Sequence, residues 1–385
     1  MRMTISTILL IVLIGCSAPK PDDNIIHLNP KSWPTETVAL DDIIKEVQVI
    51  PLETKPECLI NSAKQVLFLQ NGMLLVQNNH IYHFDKQGKF IRTFGSQGKG
   101  PGEYVSVGSR SILVNGKKSE IIIHDFNGRK YLYFNLNGDF IREVRSNHHS
   151  SKMSLIGDDM MAIHAGRMGG DPEHYELIIA GWDGRVQKKY FPFSDLTGYD
   201  LCSGFARGTS PNSCLYHRLF DYSIFEVFPD RIDTLLTVDF GTNSIDTSKY
   251  FIEDNDYYRG SDPDKIAGFN SIVNTPDHFI ASINMDVNTR GIWILEHRSG
   301  KHSFLAADSL ECVGTFHDIP ISVPRQTRDS WFVSGIDGID WAEAIKNISE
   351  SEKVRLRKDI PGFIEAEKVD QDGNPVVVFF KFKEL

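Results

Sequence analysis

Short runs of alternating apolar and polar residues, broken by Asn, Asp and Gly, recur along most of the chain. Alternation with period two sends successive side chains to opposite faces of a pleated strand, and Asn, Asp and Gly tolerate the positive φ of a tight hairpin turn. The clearest hairpin is Tyr82-His83-Phe84-Asp85-Lys86-Gln87-Gly88-Lys89-Phe90-Ile91, which returns as Tyr131-Leu132-Tyr133-Phe134-Asn135-Leu136-Asn137-Gly138-Asp139-Phe140-Ile141. Shorter versions follow at 178–186, 224–232 and 293–301. The period is about fifty residues, and the lag before the last hairpin implies an insertion of about twenty, most simply within 243–265. Another strand pair precedes each hairpin, as in 65–69 with 73–77 and 111–114 with 120–125.

Four strands per repeat cannot bury both faces of their own sheet. Arranged radially, each sheet packs on its neighbours and only short edges remain, so the pattern predicts an all-β chain folded as a six-bladed β-propeller. Five repeats are visible, and the sixth is assembled from pieces: 311–316 and 331–334 as inner strands, 376–382 as the third and 47–52 as the fourth. Pairing the two ends of the chain in one blade closes the ring. Between these pieces, Trp341, Ile345, Ile348 and Val354 have helical spacing, which predicts a short helical insertion at about 340–358. The expected organisation is therefore a signal peptide at 1–15, a lipidated tether at 16–44 and a propeller at 45–385.

Composition supports a folded, mostly β chain: 385 residues, 41% hydrophobic, with 24 Phe, 12 Tyr and 30 Gly. With 51 acidic against 41 basic side chains the formal charge is −10, which repels phosphate backbones and argues against nucleic-acid binding. The amino end reads as an address. Arg2 precedes an apolar run over 8–14, too short to span a bilayer and suited to a secretory signal. Leu13-Ile14-Gly15-Cys16 resembles the lipobox of bacterial lipoproteins, which implies a lipid on Cys16 and a membrane partner through that anchor. Ser17 in second place, in those families, implies the outer membrane. Lys20-Pro21-Asp22-Asp23 resembles an acidic surface-export tag, with a solvated linker as the equal alternative. Disulfides are permitted in that compartment; Cys202 and Cys214 flank a loop and could pair, and Cys58 and Cys312 suit small core positions.

Val49-Ile50-Pro51-Leu52-Glu53-Thr54 with Glu57-Cys58-Leu59-Ile60, Gly98-Lys99-Gly100-Pro101-Gly102-Glu103-Tyr104 and Gly373-Asn374-Pro375-Val376-Val377-Val378 occur beside these hairpins. Together with Phe84-Asp85 and Gly88-Lys89-Phe90-Ile91 of the first hairpin they resemble the six-bladed β-propeller lipoproteins of Bacteroidota, relatives of NHL-repeat propellers. The resemblance implies the fold and a cell-envelope location, and supplies no catalytic residue.

No GxSxG, HExxH or GxxxxGK[ST] pattern occurs, and no cofactor is implied. The glycine-rich stretch 98–102 fails as a phosphate loop, because Pro101 has no N–H to donate and no helix follows; it reads as a rigid crossing between blades, fixed by Glu103 and Tyr104. In Asp370-Gln371-Asp372-Gly373-Asn374 the glycine is misplaced for an EF-hand, so a turn is expected. His124, His164 and His217 end the second strands of successive repeats, where a ring of three at one mouth of the channel would suit a transition metal; polar residues leaving the core are the plainer expectation. The face built from second-to-third and fourth-to-first connections carries Tyr104, Arg129, Arg167, Arg207, His217, Arg218 and Arg290 as binding candidates. Arginine forks suit carboxylate or sulfate, and aromatic faces suit sugars. The leading expectation is a non-catalytic envelope lipoprotein binding a glycan, peptide or protein partner through that face. A metal-assisted hydrolase or lyase acting on polysaccharide, using the three histidines, and an accessory partner of an outer-membrane transporter are the alternatives.

Overall fold

The computed structural model describes residues 24–29, 32, 38–108, 110–146, 152–165, 175–192, 204–218, 221–245, 265–266, 268–284, 290–307 and 312–385. Within them six four-stranded antiparallel units form a six-bladed β-propeller. Blade 1 comprises Val66–Phe68, Gly72–Gln77, His80–Asp85 and Phe90–Thr93; blade 2 comprises Ile112–Asn115, Glu120–Asp125, Lys130–Asn135 and Phe140–Arg145. Blade 3 follows with Lys152–Ile156, Met160–His164, Tyr175–Gly181 and Val186–Pro192, and blade 4 with Phe205–Arg207, Cys214–His217, Ser223–Val227 and Ile232–Asp239. Blade 5 is Phe269–Asn274, His278–Asn284, Arg290–Glu296 and His302–Ala307. Blade 6 is Gln326–Arg328, Trp331–Ile336, Val376–Phe382 and Ile44–Pro51, so the chain's beginning supplies its outermost strand, as the sequence predicts. The innermost strands of successive blades lie side by side around the axis, and Gln326 Oε1 accepts from the Val66 N–H across the closing seam (3.0 Å).

The reason for the wheel is visible in the core. Its six apolar clusters each lie between two neighbouring blades. Ile121 and Ile123 pack toward blade 1, whereas Ile122 between them packs toward blade 3. A blade buried on both faces needs apolar residues at consecutive positions, which is why its central strands read Ile121-Ile122-Ile123 and Tyr131-Leu132-Tyr133-Phe134 rather than strictly alternating. Each such side chain contributes about 1.5–3 kcal/mol on burial.

One expectation for blade 6 changes. Its innermost strand is Gln326–Arg328, not 311–316. Cys312–Phe316 instead pairs with Ile319–Ser322 in a separate hairpin, joined by Val38–Ala39. The apolar residues of that hairpin, Val313, Phe316, Ile319 and Ile321, join the core between blades 5 and 6. Gln326-Thr327-Arg328 takes the axial place through polar side-chain bonds: Gln326 to Val66, and Thr327 Oγ1 donating to the Asn274 carbonyl (3.1 Å). Such a strand has no apolar period to betray it.

The helical insertion is two helices and a turn: α1 (Gly338–Asn347), α2 (Glu350–Asp359) and α3 (Phe363–Ala366). The chain breaks where Ser349 caps α2, its hydroxyl accepting from the Glu352 N–H (3.2 Å). Trp341 is fully buried and donates to the Ala366 carbonyl (2.8 Å), so the insertion belongs to the blade core. It also covers the free edge of Ile44–Pro51: the Val49 N–H donates to the Pro361 carbonyl (3.0 Å), and Gly362, at φ 85°, lies so close that a Cβ would meet the Val49 carbonyl. Ahead of the propeller, Ile25–His27 adds a fifth, parallel strand to blade 4. Within the span read as tether, residues 24–29 and 38–44 thus lie in ordered structure, and 16–23 fall outside the described residues. The proposed insertion point between blades 4 and 5 falls between Asp239 and Phe269. Among the described residues no helix is long and apolar enough to cross a membrane.

Candidate binding site at the mouth of the channel

Antiparallel strands place the second-to-third connections of every blade, and the crossings from one blade to the next, on one face of the wheel. On that face the tops of blades 2, 3 and 4 are stitched together near the axis. The His124 N–H donates to the Ser111 carbonyl (2.8 Å), and the carbonyl of the adjoining Arg110 accepts from the Met153 N–H (3.0 Å). Next to Met153, Lys152 opens the innermost strand of blade 3 and faces His164 across the ladder. His164 Nδ1 is hydrogen-bonded to the Tyr216 hydroxyl (2.8 Å), and His217 follows in the chain. The result is an arc of basic and imidazole side chains running from blade 2 to blade 4. Arg129, exposed at a positive φ of 53°, stands at its outer end, its carbonyl accepting from the Ser146 N–H (2.8 Å).

The electrostatics follow from burial and neighbours. Burial pushes His217 down to about 3, and the charges of Lys152, His164 and Arg110 push in the same direction. Two cations, Lys152 and Arg110, and a second imidazole, His164, thus act together on one buried ring. The carboxylate of Asp125, also at the top of blade 2, is turned into the fold, where it accepts from the N–H groups of Val105, Ser106 and Gly128 (2.7, 3.1 and 2.8 Å).

The residues expected from the sequence divide sharply. His124, His164 and His217 occupy equivalent strand ends, yet among the described residues no three His, Cys, Asp or Glu side chains gather into a metal site. His124 Nε2 instead meets the Ser146 hydroxyl (3.0 Å), and its ring lies 4.7 Å from that of Tyr131. Tyr104 is not on the rim: it is 1% exposed in the core between blades 1 and 2, and burial pushes its hydroxyl up to about 12. The adjoining Glu103 closes the glycine-rich turn by accepting from the Gly100 N–H (2.8 Å), consistent with a rigid crossing. Arg207 ends an innermost strand and therefore lies at the opposite mouth, where it donates to the Asp329 carbonyl of blade 6 (2.9 Å). Arg218 is on the expected face but committed: it forms a forked pair with Glu176 (2.8 and 3.0 Å), reaches Asp221 (3.3 Å) and stacks over Phe191 (4.5 Å). Arg290 opens the third strand of blade 5 opposite Asn284. Arg167, Cys16 and Cys202 lie outside the described residues. Cys214 is a free thiol, buried and pushed up to about 12 by desolvation.

Arg110 and Lys152 carry no signal in the loop pattern of the repeats. Both stand where an innermost strand begins, two positions and none before it, and aligning strand starts rather than turn glycines brings them together.

Among solved structures, the chain is similar to a protein of Bacteroides fragilis assigned as exported, at 18% identity and a TM-score of 0.74, over 94% of this chain and all of that one. It is also similar to a member of the duf4221 family from Bacteroides vulgatus, at 9% identity and a TM-score of 0.51, over 89% of this chain and 98% of the other. These likenesses confirm the fold. No protein of curated function matches by sequence. A family model described as a domain of unknown function, DUF4934, matches residues 24–381, and the chain belongs to that family.

Proposed function

We propose that this protein is a non-catalytic binding protein of the cell envelope, anchored through Cys16, which holds an anionic group of a glycan, peptide or protein partner at the channel mouth over blades 2–4. The observation that carries the reading is the arc itself: Arg110 and Lys152 stand at adjoining strand starts, Lys152 faces His164 across the ladder, and the charges of all three bear on buried His217, on a chain whose net charge is −10. Concentrated positive charge on an acidic protein has no value for solubility and a clear one for capturing carboxylate or sulfate. The envelope assignment is supported by the signal-like amino end and by the similarity to an exported Bacteroides protein.

The test is binding of polygalacturonate and heparin, with neutral dextran as control, to the soluble chain lacking its first 23 residues. The acidic polymers are expected to bind and dextran not to. Combined Arg110→Ala and Lys152→Ala should weaken binding at least about tenfold, equivalent to about 1.4 kcal/mol, with a loss that shrinks as salt rises. Binding indifferent to both substitutions, or absent for every anionic polymer, would sink the reading.

A further inference from the structure

At the opposite face, blades 5 and 6 leave a cleft of about 280 Å³ at their seam. That is close to the lower end of small-molecule sites, about 300 Å³. His278, Glu296 and Phe382 form its buried floor, each less than a tenth exposed. His278 and Glu296 face each other across the ladder between the second and third strands of blade 5. Around the floor stand exposed Asp277, Glu384, Lys45 and Arg298 and half-buried Lys381, the last paired with Glu46 (3.4 Å).

The floor contains two groups that lack what they need. Burial lowers the His278 ring's affinity for protons, so it is neutral at neutral pH. The Lys383 backbone raises that affinity, as a carbonyl beside the ring does, and a neutral ring with its N–H on Nδ1 presents Nε2 as an acceptor. Nε2 is buried and has no hydrogen-bond partner. Glu296, 5% exposed, accepts from the Ser299 hydroxyl and has no cation within ion-pair distance among the described residues. A buried lone pair without a donor and a buried carboxylate without a cation are each costly, and one group answers both. An ammonium carries the charge and three N–H donors. A metal ion is a poorer answer, since the described residues include no cluster of three ligands.

We propose that this cleft is a binding site for a primary ammonium, donated to His278 Nε2 and the Glu296 carboxylate, with the remainder of a small ligand lying between the charged rim residues. The site is independent of the channel mouth.

The experiment uses the chain with 13C-labelled histidine and two probes of equal charge, n-propylammonium and n-propyltrimethylammonium. The primary ammonium should shift the His278 ring resonance and bind at least tenfold more tightly than the quaternary ion, which has no N–H to donate. Glu296→Gln should weaken the primary ammonium about tenfold, while Arg110→Ala leaves it unchanged. Equal binding of the two probes, or no shift of His278 at saturating amine, overturns the proposal; the second result is what a cleft holding only water gives. The probe comparison on the unaltered chain decides the matter even if Glu296→Gln fails to fold.

Discussion

The seam between blades 2 and 3 and the seam between blades 6 and 1 hold the same wheel by different means. At the first, the chain is continuous and an apolar cluster of Ile122, Tyr131, Tyr133, Met161 and Ile178 is edged by side chains bonding to side chains. Glu120 receives a fork from Arg142 (2.8 and 3.1 Å) and the Trp182 indole N–H (2.6 Å). At the second, a single buried residue ties segments from opposite ends of the chain through their backbones. Asn374, 1% exposed, accepts from the Ile60 N–H (2.7 Å) and donates to the carbonyls of Glu53 (2.7 Å) and Cys58 (2.8 Å). Its own N–H donates to the Thr54 hydroxyl (2.9 Å). The difference concerns register. Ile44–Pro51 and Val376–Phe382 are apolar along much of their length, and a slip of two residues would bury the same faces. Hydrophobic contact cannot forbid that slip. Directional bonds to fixed backbone groups can.

The sharpest way to break this comparison is Asn374→Ala. It orphans two buried backbone groups, the Ile60 N–H and the Cys58 carbonyl, each costing about 1–3 kcal/mol, so a loss of about 2–6 kcal/mol in denaturant unfolding is expected. Amides of 44–51 should also exchange faster in the native state than those of blades 2 and 3. The matched change at the ordinary seam is Trp182→Phe, which removes the indole bond to Glu120 and some packing. A smaller loss of about 1–2 kcal/mol is expected there, with exchange at 44–51 unaltered. Equal costs, or faster exchange at 44–51 in both, would show that closure needs no special device.

This comparison also explains what could be read from the sequence. The wheel, its blade count and its shared last blade were legible, because hairpins such as 82–91 and 131–141 carry both the strand period and the turn residues. Besides the hairpin stretch 84–91, three motifs carry the family resemblance, and two of them meet at the closing seam: Glu53, Thr54, Cys58 and Ile60 from one are the partners of Asn374 from the other. The third, 98–104, forms the Glu103-closed crossing with buried Tyr104. Motif residues in this chain are therefore structural punctuation, which is why they gave fold and no chemistry. The axial strand Gln326–Arg328 escaped because its role is polar. Arg207 went to the wrong mouth because a shift from loop to strand end reverses the face on which a residue emerges. The basic arc needed adjacency between blades, which spacing within one repeat does not encode.

The smallest expected effect tests whether the two seams share an electrostatic component. Glu53 at the closing seam is held below the usual carboxylate range, first by the Phe90 N–H it accepts (3.0 Å) and then by Lys55 and Lys89. Glu120 at the ordinary seam is also lowered, chiefly by Arg142. A carboxylate whose folded affinity for protons is depressed binds fewer protons folded than unfolded. Its contribution is complete above the unfolded carboxylate value and fades as pH falls through the lower folded one. Glu53→Gln should therefore cost at most about 1 kcal/mol at neutral pH, since the lysines are solvated, and nothing once the carboxyl is protonated in both states. Glu120→Gln should converge on the parent in the same direction but start from a larger gap, because a forked Arg142 pair and an indole bond are lost together. Measuring both variants between pH 7 and acid, by urea unfolding, separates the seams cleanly. A Glu53→Gln gap that persists or grows in acid would mean that its charge does not help hold the closing seam, leaving the uncharged bonds of Asn374 and Gln326 as its polar closure.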